Sequence, residues 1–189
     1  MAPAHRADAR LGDVVRATTG RVGSSDDIAR LTTDLGSMFM VVFAAATLSR
    51  LGHHRRAIEV LAAGTLGWSV AQQAKEIVDR PRPYEAEGTR RLIPEPVGSS
   101  MPSGHSAVVF AVAAVLADRS RPGRRWPWPI MALWVPMTRV HLGVHYPADT
   151  LVGATLGLGL GRAVLWAADR LWDAAPAWAV ARRLVRGRR

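Results

Sequence analysis

The chain has 189 residues, 49% of them hydrophobic, no cysteine, and a formal charge of +10 at pH 7. That length fits one domain with a sizeable core, and the lack of cysteine excludes a disulfide framework, a thiolate metal site and a cysteine nucleophile. The charge leaves two physical readings, a nucleic-acid binder or a membrane protein held by its positive side against anionic lipid.

Residues 1–30 mix Arg6, Arg10, Arg16, Arg21 and Arg30 with Asp8, Asp13, Asp26 and Asp27. They lack the continuous apolar core of a signal peptide. Leu11, Val14 and Val15 fit a short interfacial helix; disorder fits equally. Five apolar blocks follow, roughly Leu35 to Leu48, Ala57 to Ala71, Ser106 to Ala117, Trp126 to Met137, and Thr150 to Ala168. Only the last approaches the ~20 residues of a comfortable membrane span. The others reach that length by including flanking polar residues such as Asp34, Glu59, Gln72, Gln73 or the Pro102 to His105 turn. A soluble bundle of buried helices is the alternative.

Arginine placement decides between them. One cluster is Arg50, Arg55 and Arg56 after the first block, a second is Arg119, Arg121, Arg124 and Arg125 after the third, and a third is Arg182, Arg183, Arg186, Arg188 and Arg189 after the fifth. If all five blocks cross a membrane, these clusters share one side, which the positive-inside tendency makes cytoplasmic. Trp126, Trp128, Trp166 and Trp172 border that side as interfacial anchors would. A nucleic-acid binder would gather its arginines into one stripe with groove-reading neighbours, which these alternating connections do not do. The expectation is an all-α integral-membrane bundle of about five transmembrane helices with an N-terminal interfacial helix. It divides into an N-terminal segment 1–30, an embedded domain 31–170 and a basic cytoplasmic tail 171–189. Gly153, Gly157 and Gly161 form a smooth stripe on the last helix; packing inside the monomer is the plainer use for it and homodimerisation the sharper one.

The same topology puts the other connections, Lys75 to Met101 and Arg139 to Asp149, together on the outer side. They hold the chain's chemistry. Lysine occurs once, at Lys75, against 24 arginines. It opens a segment that ends in Arg82-Pro83, where Pro81 and Pro83 favour extended backbone over continued helix. Lys75, Arg82 and Arg139 can surround the oxygens of a transferring phosphoryl group, whose charge is stabilised chiefly by cations fixed beforehand. Ser103 and Gly104 stand where the third block's helix should begin, and free N–H groups at a helix start form an anion site; a plain N-cap is the other use for such a pair. Asp149 is four residues after His145 and can accept a ring N–H from it, which leaves the other ring nitrogen free to attack phosphorus. His105 can then protonate the leaving oxygen and later activate water.

His141 reads as a structural or interfacial histidine, and His53 and His54 as solvated. Asp149 is the only acid close in sequence to the paired histidines, so the converging carboxylates of a metal site are missing. The reaction is expected to need neither metal nor cofactor.

These three islands resemble the ordered motifs of the type 2 phosphatidic acid phosphatase superfamily of membrane lipid phosphatases. Lys75 with Arg82-Pro83 matches the first motif, Pro102 to His105 the second, and Thr138-Arg139, His145 and Asp149 the third. The resemblance implies a helical bundle with an extracytoplasmic site and a phosphohistidine intermediate on His145, with His105 as acid. Phosphate would be bound by Lys75, Arg82, Ser103, Gly104 and Arg139. It further implies hydrolysis of a lipid phosphate or diphosphate without a metal, and sensitivity to vanadate. The partners implied are a phosphorylated lipid and the membrane, with no nucleic acid. A catalytically inactive scaffold of the same fold is the competing reading, against which the full polar set argues. Thr138 stands where serine is usual, and two apolar blocks precede the first motif where the membrane enzymes commonly have three.

Overall fold

A computed structural model describes residues 3–19 and 25–186, with side chains placed for residues 5–19 and 25–172. Among the described residues every regular element is a helix. Helices α1 (Pro3–Thr19) and α2 (Ser25–Thr33) come first. A 3-10 turn, Asp34–Gly36, then leads into α3 (Met38–Arg50), and the chain bends by 64° between the two stretches. The break falls at Ser37, whose extended backbone and side-chain bond from the Met40 N–H (3.3 Å) start α3 afresh.

Gly52, with φ of +80°, makes the tight turn into α4 (His54–Ile77). α4 stops short of Pro81 and Pro83, which cannot be accommodated inside a helix, and Arg82 is extended as the cap of the single-turn α5 (Pro83–Ala86). Next come α6 (Gly104–Asp118), α7 (Pro127–His141) and α8 (Pro147–Arg186). Pro127 and Pro147 open their helices, where a missing N–H costs nothing. Between α7 and α8 the chain reverses at Gly143, with φ of +73°, where a Cβ would meet the Arg90 carbonyl at 2.6 Å.

α6 is the central post. It is apolar on every face, as a helix enclosed by neighbours must be, and it packs against α4, α7 and α8. Val60, Ala63, Val108, Ala111, Val112, Val115, Val164 and Leu165 form the main core. α8 lies close enough for its glycine stripe to rest on the α6 backbone. A Cβ at Gly153 or Gly157 would collide with the carbonyl oxygens of Ser103 or Ala107, and one at Gly161 would sit 2.6 Å from that of Ala111. The stripe Gly153, Gly157, Gly161 is therefore filled from within the monomer and does not present a surface to a second copy.

The five apolar blocks correspond to α3, α4, α6, α7 and α8. By length and composition, one described stretch suffices to cross a membrane, Pro147–Trp172, and the bent pair Ser25–Gly36 with Met38–Arg50 passes the same test when taken together. The expected count of five spans is thus not met by helix length alone: α3, α6 and α7 have 13, 15 and 15 residues, against the ~20 that a span needs.

The described residues of the N-terminal segment are helical. They form α1 and most of α2 and pack on α7 and α8, where Thr19 and Asp26 bond to His141 and Asp8 accepts the Ala148 N–H, while His5 and Asp8 also meet Glu87 and Arg80 on the connection after α4. At the other end, α8 continues as helix through residues expected to form a separate tail. The side chains of Arg182, Arg183 and Arg186, and all of Arg188 and Arg189, lie outside the described residues.

Candidate active site

Four helix ends meet at one pole of the bundle. α4 brings Lys75 in its last turn, α6 brings Gly104 and His105 in its first, α7 brings Arg139 in its last, and α8 brings Asp149 in its first. The 78–103 and 142–146 connections cross over them. Between these parts lies a cavity of about 570 Å³ lined by Lys75, Arg82, Gly104, His105, Arg139 and His145 together with Gln72. No aspartate or glutamate is among its described lining residues. Met38, Trp68 and Val97 give it an apolar side.

His145 is 2% exposed, at the back of the cavity. Its Nε2 is 3.4 Å from Arg82 Nη1. Arginine only donates, so Nε2 must be the acceptor and the neutral ring carries its proton on Nδ1. That nitrogen faces Asp149 Oδ2 at 3.7 Å, in ion-pair range but too long for a hydrogen bond, and it has no other partner among the described residues. Burial pushes the imidazole down to about 3, with Arg139 and Arg82 adding to the fall while Asp149 opposes it. The result is a neutral imidazole with one ring nitrogen turned to a cationic cavity.

Arg82 is 1% exposed and held in place by carbonyl groups. Its Nη1 donates to Val144 at 2.8 Å, Nε to Gly98 at 3.1 Å, and Nη2 to Ser99 at 3.2 Å. Burial lowers its proton affinity, partly offset by Tyr84 and Glu85. Such a guanidinium is fixed before any ligand arrives. Arg139 is also buried; Nη1 donates to Thr33 Oγ1 at 3.0 Å, and Nε is left without a partner among the described residues. Thr138, in the position where serine is usual, turns its hydroxyl back onto the Val135 carbonyl at 2.7 Å.

His105 Nε2 is 3.7 Å from Asp34 Oδ1 at the cavity rim. Ser103 does not line the cavity. Its Oγ accepts from the Ser106 N–H (3.4 Å) and hydroxyl (3.0 Å), so it caps α6, and its own N–H donates to the Asp149 carbonyl at 2.9 Å. Since the first N–H groups of a helix have no partner within it, the amides of Gly104 and His105 are the donors left at this end of α6. Asp149 is fully buried behind His145, with Oδ2 accepting from the Ser100 hydroxyl and the Tyr146 N–H (2.8 Å) and Oδ1 accepting from Arg80 Nη1 (2.6 Å). Arg80, Ser100 and Asp34 escape a reading by sequence. The available signal was Arg80's place in the Arg-Pro-Arg-Pro run, two residues before Arg82. His141 is structural, bonded to Thr19 at 2.6 Å and Asp26 at 2.9 Å; His53 and His54 are exposed.

The PAP2 superfamily model matches residues 56–173. The undecaprenyl-diphosphatase BcrC of Bacillus subtilis is 32% identical over 81 residues, 43% of this chain and 42% of that protein. The chain thus spans about two fifths of the length of the Bacillus relatives it matches. The decaprenylphosphoryl-5-phosphoribose phosphatase of Mycolicibacterium smegmatis is 31% identical over 152 residues, 77% of this chain and 80% of that protein. Among solved structures, Aquifex aeolicus LpxE superposes with a TM-score of 0.74 at 24% identity, over 82% of this chain and 93% of that one, a likeness of fold.

Proposed function

The chain belongs to the PAP2 superfamily, and on that premise we propose that it is a membrane-embedded phosphatase of lipid phosphates or diphosphates working through a phosphohistidine on His145. The observation that carries this reading is the single cavity in which Lys75, Arg82, Arg139, Gly104, His105 and His145 converge without an opposing carboxylate on its described wall. A cavity so charged selects a phosphoryl group, and cations already fixed in place need no reorganisation as charge develops on its oxygens.

The reaction follows from the placement of the two imidazoles. His145 Nε2 attacks phosphorus; the bond from phosphorus to the lipid oxygen breaks, and protonated His105 gives its proton to that oxygen. Water then attacks the phosphohistidine as neutral His105 takes a proton from it. The phosphorus–nitrogen bond breaks, orthophosphate leaves, and both rings return to their starting states. Asp149 orients the ring and faces the imidazolium formed on the way. Lys75, Arg82, Arg139 and the α6 amides at Gly104 bind the phosphoryl oxygens, and the Ser103 cap holds those amides in line. The chemistry asks for no metal.

The outward side chains support a bilayer setting. Phe39, Phe43, Leu61, Ile130, Leu133 and Leu151 are all exposed, a larger apolar surface than a protein in water normally leaves bare. In the proposed topology α3, α4, α6, α7 and α8 all cross, the short helices completing their path through flanking residues. The arginine connections lie in the cytoplasm with the C-terminus, and the cavity opens extracytoplasmically. Residues 31–170 make the phosphatase domain, and 1–30 lie at the outer interface. The apolar side of the cavity at Met38, Trp68 and Val97 fits the first units of a lipid chain. The polyprenyl names of the Bacillus and Mycolicibacterium relatives favour a polyprenyl phosphate or diphosphate.

The test is phosphate release by detergent-purified protein from polyprenyl monophosphate, polyprenyl diphosphate and phosphatidate, with His145→Ala alongside. The expected result is release insensitive to EDTA, inhibited by vanadate, and reduced at least about a thousandfold in the variant. Comparable release by His145→Ala would remove the nucleophile assignment.

A further inference from the structure

We infer that Asp8 on α1 and Arg80 are positioning residues, forming with Asp149 a chain of alternating charge behind His145 that makes the N-terminal helix part of the reaction machinery. The inference rests on the reading of His145 as the nucleophile.

Arg80 is bonded at both ends of its fork. Nη1 donates to Asp149 Oδ1 and Nη2 to Asp8 Oδ2, each at 2.6 Å. The three side chains are 15%, 0% and 11% exposed for Arg80, Asp149 and Asp8, so water screens them little. The guanidinium lies 4.2 Å over the Tyr146 ring, and the Arg80 N–H donates to Ser99 Oγ at 3.0 Å. Asp8 is equally fixed. Its Oδ1 accepts the Ala148 N–H at 2.9 Å, in the first turn of α8, where a carboxylate is favoured. His5, one turn earlier on α1, meets the edge of Tyr146 with ring centroids 5.0 Å apart.

Charge balance gives this arrangement its meaning. Asp149 alone would face His145 Nδ1 as a full negative charge, but an unopposed Arg80 at 2.6 Å would cancel most of it. Asp8 takes up the other half of the guanidinium, so Asp8, Arg80 and Asp149 together carry −1. When His145 accepts the phosphoryl group and becomes cationic, the set is neutral. Without the Asp8 charge, the same imidazolium would form beside a neutral pair in a buried site, where uncompensated charge is costly. Binding of the lipid phosphate happens on the opposite face of His145 and does not involve Asp8.

The test uses the full chain in detergent micelles with polyprenyl monophosphate, measuring kcat and KM for Asp8→Asn, Asp8→Glu, Arg80→Gln and the Asp8→Asn/Arg80→Gln double variant. Asp8→Asn is expected to lower kcat about tenfold with KM within about twofold, and Asp8→Glu to keep at least about half of the wild-type kcat. In the Arg80→Gln background, Asp8→Asn should cost nothing further, because no positive charge remains to balance; direct neighbours in one network are non-additive in this way. Wild-type kcat in Asp8→Asn, equal losses in both backgrounds, or an Asp8→Glu variant as slow as Asp8→Asn would each mark plain packing and overturn the proposal. If His145→Ala still releases phosphate, the nucleophile reading itself has failed; if it does not and Asp8→Asn is silent, only the charge chain falls.

Discussion

The two poles of the bundle use the same residue types to opposite ends. At the pole away from the cavity, buried Glu59 on α4 accepts from Arg55 Nε at 2.8 Å and from Arg119 Nε and Nη2 at 2.9 Å, while Asp169 on α8 accepts from Arg119 Nη2 at 2.7 Å and from Arg55. Arg56 closes the cluster by donating to the Arg119 carbonyl. Within this cluster both carboxylates are paired with arginines, and the pairs tie α4 and α8 to the end of α6. At the cavity pole, Lys75, Arg82 and Arg139 line one space whose described wall holds no carboxylate. Arg139 Nε and His145 Nδ1 lack hydrogen-bond partners among the described residues. Paired charges stiffen one pole; deliberately unpaired ones leave the other ready for an anion, at a cost in stability that the surrounding fold must offset.

The contrast can be broken from either side. The largest effect is expected at the open pole: Arg139→Ala should lower phosphate release by about a hundredfold or more, the scale for losing one preorganised charge donor. It should leave the melting temperature unchanged or raised, since it relieves like-charge crowding. A variant that is destabilised yet fully active would erase the distinction drawn between the poles. At the closed pole, Arg119→Ala should destabilise the protein by about 3 kcal/mol by stripping Glu59 of most of its partners. This is read as a lower thermal midpoint, with kcat unchanged in the protein that remains folded. A smaller effect sharpens the picture of the proposed nucleophile. His145 is held at about 3, below its ordinary value, so it stays neutral well into acid and protonates only as pH falls towards that value. After correction for ionisation of the lipid phosphate and of the acid His105, kcat/KM should therefore stay within about twofold between pH 6.5 and 5, whereas an imidazole titrating at ~6.5 would lose about sixteenfold over the same interval. A loss of that size assigned to His145 would show that burial and the neighbouring cations do not hold it neutral.

The difference between the poles also separates what was legible in the chain from what was not. The apolar blocks coincide with α3, α4, α6, α7 and α8 because helices whose outward faces are apolar as well as their packed ones write themselves as continuous apolar runs. Helix ends were legible too: the prolines before and after Arg82 stop α4, and Pro147 starts α8 where a proline at the first turn belongs. Since those ends carry Lys75, His105, Arg139 and Asp149, alternating direction of the blocks was enough to gather the residues at one pole. Ser103 shows the limit of such reasoning. A serine before a helix is compatible with both phosphate binding and capping, and its contacts with Ser106 and Asp149 are what make it a cap here. The glycine stripe likewise fits two partners equally well in sequence, and only the nearness of the α6 carbonyls assigns it to the monomer.

Sequence by itself determined the residue types, the order of the motifs and the helix ends on which they sit, because these depend on local periodicity and on chain stiffness at proline and glycine. Tertiary structure alone decided which charges are satisfied. Arg80 meets Asp149 across 69 residues and Asp8 across 72, Arg119 meets Glu59 across 60, and Arg139 meets Thr33 across 106. Ion pairing falls off with distance in space, and no pattern along the chain records which distant carboxylate will come within 3 Å of which arginine.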